Sequence, residues 1–112
     1  MKIHERKQKS NPLLGYWGNY GEIDIGISSG KIDKHTDFSE ILHYHKKGLV
    51  YFLILDGEGI LEINGEIVPM KKDTVIQIDP EEKYKVREVL SYPLSWITIC
   101  TIKDPSDKIV LE

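Results

Sequence analysis

Turn signals recur along this chain at short, even intervals, and that spacing limits it to one kind of architecture. "EIDIGI" runs into Ser28-Ser29-Gly30, "FSEILHYHK" stops at Lys47-Gly48, and "LVYFLIL" stops at Asp56-Gly57-Glu58-Gly59. "ILEI" then meets Asn64-Gly65, a dipeptide that closes two-residue hairpins because both positions tolerate positive φ. "EIVPM", "TVIQI" ahead of Asp79-Pro80, "YKVREV", and "LSWITICTI" ahead of Pro105 complete the series. About eight short strands at this spacing predict an all-β sandwich or barrel. Isoleucine, valine and tyrosine fill the runs, as pleated strands prefer. The only helical signal is a short turn over residues 79–83.

A chain of 112 residues builds one core. Residues 1–20 read as a polar N-terminal arm or extra strand, and 21–112 as the barrel domain. Hydrophobic residues at 40% and charged residues at 29% describe a soluble globular protein. The net charge of -3 gives no basic footprint for nucleic acid, so no nucleic-acid partner is expected. The longest apolar run, Leu49 to Leu55, is too short to span a bilayer, and no h-region follows the charged N-terminus. Cys100 is the single cysteine, which excludes an intrachain disulfide and reads as a small core residue. A cytoplasmic location follows as the expectation.

"LVYFLIL" is apolar on both parities: Val50, Phe52 and Ile54 against Leu49, Tyr51, Leu53 and Leu55. A barrel covers one face only, so the outer face needs a cover. A homodimer built on that face is the favoured expectation. The alternative is that residues 1–20, with Leu13, Leu14, Tyr16 and Trp17, fold back over it.

His43-Tyr44-His45 places two imidazoles on one face of a strand and Tyr44 on the other. Two rings side by side inside a barrel make candidate ligands for one cation, or polar walls of a pocket. His4 lies in the basic arm, His35 in a polar loop, and "DPEEKYK" reads as a solvated turn. Trp96 alternates with Leu94, Thr98 and Cys100 and reads as core or pocket wall. No Gly-x-Ser-x-Gly, phosphate-binding glycine loop or Cys-His pairing is present.

The stretch from Asp37 to Val89 resembles the cupin superfamily, on four features: His43-x-His45, "VYFLILDGEG", the Asn64-Gly65 hairpin, and "MKKDTVIQIDP" ahead of an alternating strand. The resemblance implies a single-domain cupin jelly-roll β-barrel, the double-stranded β-helix. It also implies a metal site, and there the match fails. Val50 stands where the family has its glutamate, Asp37 where it has a leading glycine, and Tyr84 (or Lys83 in a shifted register) where it has a third histidine. Two metal ligands, His43 and His45, carry over. Gln77 and Glu40 are further oxygen donors whose facing the sequence leaves open.

The resulting expectation is a small-molecule-binding protein with a degraded metal site and no cofactor. Its pocket, lined by His43, His45, Val50, Phe52, Tyr84 and Trp96, would hold a sugar or sugar derivative. One divalent transition metal weakly held by His43 and His45 is the alternative. A second function class is a sugar isomerase or epimerase, metal-free or with substitute ligands, using His43 as base and Tyr84 as acid. "WGNYGE" is similar to the Trp-Gly start of some sugar-phosphate isomerase cupins. A third class is a sensor barrel: residues 41–89 also resemble the ligand-binding domain of arabinose-type regulators, without a helix-turn-helix domain.

Overall fold

The computed structural model describes residues 1, 3–9, 13–18, 24–34 and 40–111. Among the described residues nine strands form one curled antiparallel sheet: β1 (Lys7–Gln8), β2 (Leu14–Gly18), β3 (Gly26–Ile32), β4 (His43–His45), β5 (Val50–Ile63), β6 (Glu66–Lys71), β7 (Val75–Ile78), β8 (Tyr84–Cys100) and β9 (Lys108–Val110). One path through it runs β1-β2-β3-β8-β4-β9, while β5 pairs with β6, β7 and β8. No α-helix occurs among the described residues, and no helix is long and apolar enough to cross a membrane. The helical signal over residues 79–83 resolves as a turn, and a 3-10 turn, Pro105–Asp107, lies further on.

The expected break at Asp56-Gly57-Glu58-Gly59 is a bulged bend inside a single strand. β5 continues through it for 14 residues, and its register against β8 shifts at Ile54/Asp56, Asp56/Glu58 and Glu58/Gly59. Bulges of this kind add an unpaired residue and bend the strand, so the sheet turns a corner without a loop. Gly57 makes the bend feasible. Its φ is +75, and a Cβ there would run into the carbonyl of Pro93. "YKVREV" and "LSWITICTI" likewise join as the 17-residue β8. The Asn64-Gly65 hairpin forms as expected, with φ of 49 and 80, and joins β5 to β6.

Inward positions along β3, β5 and β8 build the interior. Ile54 pairs with Trp96, Ile32 with Leu94 and Leu61 with Val86, and all are buried. Outward positions of β5 are less covered: Tyr51 and Leu53 are half-buried, and Leu55 is 47% exposed. Leu13 and Trp17 approach that face at its edge, lining a surface pocket with Leu55. β2 extends the sheet from the edge of β3, with Leu13 and Leu14 packed against the core. The junction between residues 20 and 21 falls outside the described residues.

Candidate functional site

β4 is a three-residue strand between two neighbours. His43 sits in register with Tyr84 of β8 on one side and Val110 of β9 on the other. Alternation then turns His43 and His45 inward and Tyr44 outward, where it faces Ile109. The rings form a connected wall. His43 and Tyr84 are 4.2 Å apart between centroids, His43 and His45 6.1 Å, Phe52 and Tyr84 5.8 Å, and Phe52 and Trp96 6.3 Å. Gly30, opposite Trp96, lets the indole lie against β3, since a Cβ there would collide with the ring.

These side chains line a cavity of about 170 Å³ together with Leu14, Ser28, Glu40, Thr98 and Cys100. It opens into a wider mouth of about 500 Å³. Lys9, Ser28, His45, Cys100 and Lys108 line both. Five of the six pocket residues read from the sequence meet here. Val50 does not line the cavity: paired with both Ile78 and Cys100 and 1% exposed, it is packed into the core. Gln77 is exposed and donates to Asp79, whereas Glu40 faces the cavity. Cys100 packs against the core yet stays half-buried at the cavity wall. His35 and Asp37 lie outside the described residues.

Both imidazoles are oriented from behind. His43 Nδ1 is 2.7 Å from the carbonyl oxygen of Ile41. A carbonyl only accepts, so Nδ1 carries the proton and Nε2 the lone pair. Burial is the main cause that pushes the pKa of His43 down to about 4, which keeps the ring neutral at pH 7. His45 Nδ1 lies 3.5 Å from Asp107 Oδ2. Burial lowers its pKa, and the Asp107 carboxylate works against that shift. Asp107 is fixed in turn by the amides of Lys47 at 2.9 Å and Gly48 at 3.0 Å.

Asp107 is a site residue that the sequence reading missed. The signal in "DPSD" is local only: Asp104 caps the 3-10 turn by accepting from Ser106, with Pro105 inside the first turn. Nothing in it announces contact with His45.

Tyr84 is 3% exposed, and its hydroxyl makes no hydrogen bond among the described residues. Burial first, then the charge of Glu40, pushes its phenol well above the usual range, so it remains a protonated donor. Glu40 accepts from the amide of Val86 at 3.0 Å, and burial raises its carboxyl pKa. Cys100 is held as a thiol by burial and donates to the carbonyl of Ile102 at 3.1 Å. It lacks the thiolate character of a nucleophile.

The donor set does not suit the metal that the family resemblance implies. A catalytic zinc site uses three protein ligands, and an iron site of the oxygenase kind needs two histidines and a carboxylate. Among the described residues no three His, Cys, Asp or Glu side chains gather as a metal-binding group. The aliphatic Val50 is buried where a carboxylate would be required.

A curled antiparallel sheet, bent by bulges and enclosing a polar cavity, is the arrangement of the double-stranded β-helix class. The chain belongs to the cupin family, whose cupin domain profile matches residues 31–100. Among solved structures it is similar to Streptomyces Pac13, described as a nucleoside dehydratase and also solved with uridine. The TM-score is 0.71 at 12% identity, over 97% of this chain and 85% of that one. It is also similar to KdgF from a Halomonas species (TM-score 0.68, 14% identity, 92% of this chain and 91% of that one). A third is an uncharacterised Klebsiella pneumoniae protein with a double-stranded β-helix domain (TM-score 0.73, 13% identity, 95% and 85%). At these identities the likeness establishes the fold alone. No curated protein matches the chain by sequence.

Proposed function

We propose that this protein binds a small polar molecule, a sugar or sugar derivative, inside the barrel cavity. The observation that carries the reading is the Tyr84 hydroxyl. It is buried against the cavity without a protein partner among the described residues. A buried polar group left unpaired costs about 1–3 kcal/mol, which a ligand hydroxyl would relieve. His43 Nε2 offers an acceptor beside it, and Phe52 and Trp96 offer apolar faces of the kind that sugar rings stack on. That Pac13, which has the same fold, has been solved with uridine supports a ligand of this size.

Calorimetric titration with sugars and nucleosides tests this. Saturable binding to the wild type is expected, about tenfold weaker in Tyr84→Phe with the thermal transition preserved. Binding unchanged by both Tyr84→Phe and His43→Gln would remove the cavity from consideration.

A second reading, metal-free proton transfer of the isomerase or epimerase type, is favoured by the fixed tautomer of His43. A neutral imidazole with its lone pair on Nε2 takes a proton from a bound substrate, and the Tyr84 hydroxyl donates a hydrogen bond to the oxygen where charge builds. The outer face of β5, with Leu55 at 47% and neighbouring Val75 at 61% exposure, supports pairing with a second copy of the chain.

A further inference from the structure

We propose that the ligand of this cavity carries an anionic group, a phosphate or a carboxylate, held at the cavity mouth by Lys9 and Lys108. The proposal rests on the ligand-binding reading above and adds the charge of the ligand. The chain as a whole is acidic, with a net charge of -3. Its cavity mouth is the reverse. Lys7, Lys9, Lys103 and Lys108 line the mouth against Asp104, and Lys9 and Lys108 continue inward to line the cavity against Glu40.

Separate parts of the chain bring the two inner lysines together. Lys108 stands opposite His45 in the β4–β9 register, so alternation aims it to the same inner side as the imidazole. Lys9 follows β1 and is fixed by its amide, which donates to the carbonyl of Leu14 at 3.1 Å. The two ammonium groups feel one another: after burial, the charge of Lys108 is the main cause that lowers the pKa of Lys9, and the single Glu40 carboxyl, coupled to both lysines, offsets this only in part. Gathering like charges at a partly desolvated opening costs free energy unless an anion sits between them. The imidazoles do not share this task, because burial lowers the pKa of both.

The layout therefore reads as a ligand with two ends. A ring lies over Phe52 and Trp96 with its hydroxyls toward Tyr84 and His43, and a charged end points outward to Lys9 and Lys108. Lysine suits such an end, since it acts on phosphate or carboxylate as a mobile point charge.

Calorimetry with matched probes tests this: uridine against uridine 5′-monophosphate, glucose against glucose 6-phosphate, and glucose against glucuronate. At low salt the anionic member of at least one pair is expected to bind roughly tenfold tighter. The ratio should shrink as salt is added and fall to about one in Lys9→Gln/Lys108→Gln. A gain confined to the phosphates assigns phosphate, and one confined to glucuronate assigns carboxylate. Equal affinities within every pair, with binding still weakened by Tyr84→Phe, would overturn the anionic ligand and leave the cavity reading intact. If inorganic phosphate perturbs the Lys9 and Lys108 ammonium resonances but no organic probe binds, the cavity reading falls and this proposal with it.

Discussion

The two ends of the barrel are built from the same strands with opposite chemistry. At the closed end the inward residues are Ile32 on β3, Ile54 and Leu61 on β5, and Leu94 on β8, all fully buried. About two to six residues further along the same strands stand Ser28, Phe52, Thr98 and Cys100, facing the cavity. The closed end excludes water through close packing, and the open end concentrates titratable groups in the low dielectric which that packing maintains. Stability and chemistry are thereby separated along one set of strands.

The comparison breaks first at the closed end. Leu61→Ala empties a site that is 0% exposed and is expected to cost about 2–5 kcal/mol, read by urea unfolding. A loss below about 1 kcal/mol would show that the closed end does not carry the stability. The next effect belongs to the open end and depends on pH. The pKa of His43 is depressed to about 4 in the folded protein from an ordinary value of 6.5. Between those values the unfolded chain binds the extra proton. The contribution of His43 is therefore intact above about pH 6.5 and disappears as pH falls toward 4, a loss of about 3 kcal/mol. Glu40, with its pKa raised by burial, acts in the opposite sense above the usual carboxyl range. Unfolding of wild type and His43→Asn across this window isolates the histidine. Parallel pH profiles would contradict the assignment. The smallest effect concerns the support behind the site. Asp107→Asn should cost about 1 kcal/mol and lower the His45 pKa further, followed by NMR titration of the ring, because the carboxylate that favours the imidazolium is gone. An unmoved His45 would detach Asp107 from the site.

Some of this was legible without coordinates. Asn64-Gly65 is a hairpin because its dihedral preferences are local. That His43 and His45 share a face follows from strand parity, and that the face is the inner one follows from the family resemblance. Tyr84 follows from the family resemblance, and the register sets it opposite His43, a pairing that the sequence did not reveal. Asp56-Gly57-Glu58-Gly59 has the composition of a turn but became a bulge, because β8 supplies pairing partners at Ser91 and Ser95 that the local sequence does not reveal. Val50 has the right parity for the pocket, yet it is packed into the hydrophobic core, 1% exposed, and does not reach the cavity.

What the sequence by itself determined is the strand periodicity, the all-β class and the shared face of His43 and His45. Each of these depends on neighbours one, two or three positions away. Only the tertiary structure decided which polar groups complete the site. Asp107 reaches the amide of Lys47 across 60 residues, and Lys9 and Lys108 converge from opposite ends of the chain. Such contacts are set by how the sheet closes, through hydrogen-bond register and burial, and a short window of sequence carries neither.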